Sequence, residues 1–106
     1  MTNDLFALRE RLERSLRAKL QELERATALL DATVADVRSR LVKDGPVRVW
    51  LIGGPVRVQG LGARVDALCG EVVALQDAIR QVADQQARQA AKGQRENTEG
   101  RRVHAL

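Results

Sequence analysis

From Asp4 to Lys43 the chain runs for forty residues without a glycine or a proline, in a stretch rich in Leu, Ala, Arg and Glu. These are strong helix formers, and such a run specifies one long helix. Its apolar residues fall at Leu5, Leu8, Leu12, Leu16, Leu20, Leu23, Leu30, Val34, Val37 and Leu41, with Thr27 in the one vacant slot. From Leu20 onward the three-four spacing predicts a heptad seam, and the four-residue steps from Leu8 to Leu20 read as a stutter. A helix of roughly 60 Å with so narrow an apolar stripe needs a partner helix to be stable. Gly45 and Pro46 mark its end.

A second heptad follows. Val65, Leu68, Val72, Leu75, Ile79 and Val82 alternate between the two core slots, which then pass to Gln86 and Gln89. The helix is expected over 61–92, with a polar, aperiodic tail over 93–106.

Between the helices, residues 45–60 contain the pentapeptide Gly-Pro-Val-Arg-Val twice, starting at Gly45 and at Gly54. The β-branched content and period of two predict a short central β-hairpin turning at Gly53-Gly54. One face would carry Val47, Val49, Leu51, Val56 and Val58, and the other Arg48, Trp50, Ile52, Arg57 and Gln59. Pro55 fits poorly in a two-residue turn, so the loop is drawn wider. A lone hairpin is marginal in water, so its apolar face has to pack on another copy or another element.

Two arrangements accommodate these parts. The chain folds back on itself, or copies run side by side in a parallel bundle. Flanking charges lean to the second: Lys19 would meet Glu24 of a neighbour, whereas folding back would bring Arg40 towards Arg64. The small residues Gly62, Cys69, Ala78 and Ala83 beside the second seam favour a trimer over a dimer. The expected fold is therefore mainly α, with coiled-coil helices at 4–44 and 61–92 flanking a β-hairpin at 45–60, in a parallel homo-oligomer. Its interface would be Leu20, Leu23, Leu30, Val34, Val37 and Leu41, the hairpin face, and the second seam from Val65 to Val82. An extended rod would exceed 100 Å, against nearer ~80 Å for a folded-back chain.

Of 106 residues only Phe6 and Trp50 are aromatic, which leaves little bulk for a globular enzyme core. No catalytic constellation, metal-ligand cluster or cofactor motif stands out, so the expectation is a non-enzyme with no cofactor and no metal. Cys69 reads as a small filler and His104 as solvated. No apolar stretch approaches a membrane span and the N-terminus lacks a secretory pattern, so synthesis in the cytoplasm without a membrane partner is expected. Arg48, Arg57 and Arg64 lie between Asp44 and Asp66 with no acid among them, a basic ring that nucleic acid could use, although no nucleic-acid motif accompanies it.

The run Pro46 to Gly60, set between heptads, resembles the Pro-Val-rich β connectors of bacteriophage tail-fibre and stalk proteins. That resemblance implies an intertwined trimer and a structural role, in a stalk, connector or fibre of a larger particle such as a virion, bound to other structural proteins. The order helix, β-hairpin, helix is also similar to the prefoldin-like chaperone subunits, which implies a folded-back adaptor or chaperone. A basic coiled coil that binds nucleic acid is the third expectation.

Overall fold

The computed structural model describes the backbone of residues 2–105 and the side chains of residues 4–94. Helix α1 spans Thr2–Asp44, a short helix α2 spans Pro46–Leu51, and helix α3 spans Gly54–Ala105. The chain folds back at α2 and lays α3 antiparallel along α1, forming a rod of 89 × 16 × 15 Å. Its radius of gyration, 24.9 Å, is nearly twice the ~13 Å of a globular domain of this length. Residues 93–105, expected as a tail, continue the backbone of α3.

No strand exists among the described residues, so the central β-hairpin is overturned, and α3 packs on α1 of its own chain. The cause is local. Gly45 has φ +82° and its carbonyl accepts the amide of Val49 at 3.3 Å, so it caps α2, with Pro46 in the first turn. Gly53 has φ +79° and its carbonyl accepts the amide of Arg57 at 3.0 Å, so it caps α3, with Pro55 in the first turn. A first-turn proline sacrifices no hydrogen bond, because the amide it lacks has no partner inside the helix. Both copies of Gly-Pro-Val-Arg-Val are thus helix starts, and the weak strand preference of the valines gives way to the cap and to packing.

Packing then sorts the segment residue by residue. Val49 is 2% exposed, while Val47 is 71% and Leu51 69% exposed. A hairpin face would have treated the three alike. A β-carbon added to Gly54 would meet Val49 Cγ1 at 2.9 Å, the Val49 carbonyl oxygen at 3.3 Å and Val37 Cγ2 at 3.4 Å. Val49 therefore plugs the closed end of the rod between α1 and the start of α3.

Along the rod the inward row of α1 is Leu5, Arg9, Leu12, Leu16, Lys19, Leu23, Ala26, Leu30, Thr33 and Val37, each buried or half-buried. These positions alternate by four and three throughout, so the stutter is not needed. Leu20, Thr27 and Leu41, assigned to the seam from sequence, are exposed, and Val34 is half-buried at its flank. The true seam takes the slots of Lys19, Ala26 and Thr33 instead. The row of α3 agrees with the sequence reading from Val65 to Val82 and extends it back to Val58 and Leu61; of the two glutamine slots that follow, Gln86 is half-buried and Gln89 exposed.

Candidate interaction surface

The interface residues predicted from sequence divide into two groups, with Val34 half-buried between them. Leu23, Leu30, Val37, Val49, Val58, Val65, Leu68, Val72, Leu75, Ile79 and Val82 turn inward, and elements of the same chain cover them. Leu20, Leu41, Val47, Leu51 and Val56 remain exposed. Sequence reasoning missed Ala26 and Thr33 because they are small or polar. Ala26 needs little room between two helices, and the Thr33 hydroxyl is satisfied by donating to the Leu29 carbonyl at 2.8 Å.

Charges fix the register of the folded-back pair at two points. Arg9 Nη1 donates to Gln86 Oε1 at 3.1 Å, and Lys19 Nζ lies 3.0 Å from Glu71 Oε2. Lys19 also reaches Glu22 Oε2 on its own helix at 3.4 Å. The expected conflict between Arg40 and Arg64 does not arise: Arg64 stands beside Glu22, Arg25 and Leu29 of α1, and Arg40 Nε donates to Asp36 Oδ2 at 3.1 Å. Further pairs along single helices, Arg9 with Glu13 and Arg80 with Asp77, line the surface.

The hydrogen bond to Glu71, and then the attraction of Glu22 and Glu71, hold the Lys19 ammonium above its ordinary value of 10.5. A raised lysine stabilises the fold fully below its unfolded value and loses that contribution as pH rises through its folded value. Lys19→Gln is therefore expected to lower stability by a constant, small amount between about pH 7 and 9. The gap to the parent should close as the pH passes above 10.5. Urea titrations across that range measure it, and a gap unchanged at the alkaline end would remove the ion pair from the account.

The most exposed apolar side chains gather at the closed end. Val42 (88% exposed), Val47, Trp50 (68%), Leu51, Ile52 and Val56 lie on or beside α2. Each would normally seek cover, and together they exceed the scattered exposed apolar residues found on any protein surface. Arg48 and Arg57, two members of the expected basic ring, belong to this tip, and Arg64 stands further down α3 beside an open depression lined by Glu22, Ala26, Leu29 and Leu61. A second depression lies against Leu30, Val34, Arg38, Val58 and Gly62. Both are shallow and open.

Cys69 is exposed, and His104 lies outside the residues whose side chains are described. Among the described residues, no group of three or more His, Cys, Asp or Glu side chains could hold a metal ion, and no helix is long and apolar enough to cross a membrane. No protein-family model, curated protein or solved structure matches the chain.

Proposed function

We propose that the chain is a non-enzymatic assembly module, a folded-back helical rod that holds a docking tip at a fixed distance from its open end. The observation that supports this reading most directly is the cluster of exposed apolar side chains at the closed end of an 89 Å rod. Among the described residues the two depressions between the helices are open, and a rod of this form separates two attachment points well. In this role the Lys19–Glu71 and Arg9–Gln86 contacts keep the helices in register, so the length of the spacer is defined.

A second reading keeps self-association. Phe6, Leu20, Leu29 and Val73 are exposed along the flanks, and rods could pair sideways through them to build the stalk or connector of a larger particle. The segment that resembles phage stalk connectors is helical here, so membership of a virion rests on that lateral assembly rather than on an intertwined β element.

Solution scattering with an independent mass separates these readings. The spacer is expected to give a particle of 11.7 kDa with a maximum dimension near 90–100 Å once side chains are added to the 89 Å backbone. A mass that climbs with concentration at unchanged length would favour lateral assembly. A particle well beyond 150 Å would sink the folded-back rod altogether.

A further inference from the structure

Charge is distributed along this molecule in a way its overall balance conceals. The chain carries 18 basic and 14 acidic side chains. Within residues 38–60, the closed end and about one helical turn or two below it, there are five basic side chains, Arg38, Arg40, Lys43, Arg48 and Arg57, against the single acid Asp44. The other 83 residues hold thirteen of each sign and are balanced. The cationic surplus therefore sits at and just below the tip; all five basic residues are exposed, and Arg40 alone among them is paired with a carboxylate outside this span, that of Asp36. The surplus coincides with the exposed apolar cluster described above.

The occupant of such a tip must offer negative charge and an apolar environment at the same place. A second copy meets the apolar requirement and fails the electrostatic one, since two tips would bring like charges together. A nucleic acid meets the charge and leaves Val47, Leu51, Ile52 and Val56 facing phosphate with nothing to gain. One tryptophan alone could stack on a base.

A folded acidic protein is limited by geometry. It would have to present a concave acidic site shaped to a protruding end whose backbone is only 16 × 15 Å across. A bilayer surface has no such limitation. It behaves as a solvent that closes around a protruding tip, takes apolar side chains to the level of the acyl boundary, places a tryptophan at the headgroups, and draws basic side chains to anionic lipids.

We infer that the α2 tip is a peripheral anchor that inserts Trp50 and its aliphatic neighbours into the interface of an anionic lipid bilayer, with Arg48, Arg57 and Lys43 against the headgroups. The expectation of no membrane partner rested on the absence of a span, and a tip of this kind inserts without spanning. The inference rests on the folded-back rod and names the partner of its tip.

Trp50 is the sole tryptophan and there is no tyrosine, so its fluorescence reports on the tip alone. The full chain is mixed with vesicles of phosphatidylcholine, and with vesicles containing equal phosphatidylcholine and phosphatidylglycerol. The expected result is co-sedimentation and a shift of Trp50 emission to shorter wavelength with the anionic vesicles, with neither on phosphatidylcholine alone. Reversing Arg48 and Arg57 to Glu should weaken vesicle binding about tenfold or more. Val47→Ser with Leu51→Ser should remove the spectral shift while helix content by circular dichroism is kept, since both side chains are exposed.

Several outcomes would overturn the proposal. Unshifted emission with anionic vesicles is one, and co-sedimentation without a Trp50 shift is another, because it would mean adsorption by charge elsewhere. A spectral shift that grows with protein concentration in the absence of lipid would assign the tip to a second copy. A shift on duplex DNA and not on vesicles would assign it to nucleic acid. If scattering shows the 90–100 Å monomeric rod and the vesicles fail, the occupant alone is rejected; if the rod itself is not observed, both readings fall.

Discussion

Replacing Val49 with Asp is expected to lower the melting temperature by roughly 10–20 °C, corresponding to about 2–4 kcal/mol in a chain of this size. Val49 has the smallest exposure of any core residue, 2%, and stands against Gly54 and Val37 where three helices meet. A carboxylate placed there has two routes open to it. It stays buried without a partner, which is costly, or it drives α2 off the end of the rod and forfeits the cover that α2 provides. Val47→Asp, two residues away, is expected to change stability by no more than about 0.5 kcal/mol, because Val47 points into water. The comparison discriminates between folds as well as between positions. In a β-hairpin residues 47 and 49 share a face, and equal losses at the two sites would restore that fold. In a helix they lie far apart around the axis, and only one can be the plug. Thermal unfolding followed by circular dichroism reads both variants.

What the sequence disclosed depended on how far each physical signal was from its competitors. The seam of α3 was legible because Val65, Leu68, Val72, Leu75, Ile79 and Val82 are all large and all inward, so size and spacing gave one answer. The existence of α1 was equally clear from its forty residues free of Gly and Pro. Its register was not. Leu20, Val34 and Leu41 are more apolar than Lys19, Ala26 and Thr33, and periodicity weighted by hydropathy put the more apolar set inside. Packing chose the other set, since Ala26 and Thr33 bring α1 close to α3, and the long stem of Lys19 covers the seam while its ammonium reaches Glu71 at the edge. A signal was available, because the slots from Leu5 to Val37 repeat without a stutter only when the small residues are counted.

The middle segment misled for a related reason. Val-Arg-Val has real strand preference, and alternation was read as two strands. Gly-Pro repeated at the same place in both copies is also the signature of a helix start, with glycine outside and proline in the first turn. The difficulty that Pro55 posed for a hairpin was the clue, since an amide a strand would miss is one a helix start does not use. The direction of pairing was hidden by charge arithmetic between helices, where Arg40 and Arg64 were weighed as facing each other, whereas the folded-back register sets Arg64 beside Glu22 and Arg25. The location of the candidate docking tip followed from the fold. Val47, Leu51 and Val56 were read as the buried face of a hairpin in an extended oligomer and Trp50 and Ile52 as its other face, and they share a tip only because the chain turns back there.

That turn is set by few residues, and removing them should change the assembly rather than unfold it. Substitution of Gly45, Pro46, Gly53, Gly54 and Pro55 by Ala is expected to convert the folded-back rod into a dimer of long, continuous helices. Gly45 and Gly53 hold φ of +82° and +79°, where a β-carbon is strained. Alanine at Gly54 would also bring a methyl to 2.9 Å from Val49 Cγ1 in the folded-back form. The same substitutions supply good helix formers across both breaks, so a single helix through residues 2–105 becomes the favoured local structure, roughly 155 Å long. Such a helix cannot lay its second half on its first. The seams remain, and an antiparallel partner satisfies them: α1 of one chain lies on α3 of the other, twice, with the contacts of the monomer exchanged between chains. Light scattering is then expected to give twice the mass, and solution scattering a maximum dimension near 155 Å in place of 90–100 Å. A monomer of unchanged length would mean that the antiparallel seam, and not the glycine and proline breaks, dictates the fold-back. In the dimer the tip no longer exists as a protrusion, since residues 46–60 lie midway along a continuous rod. The same variant therefore also separates the charge of residues 38–60, which it keeps, from their presentation at an end, which it abolishes.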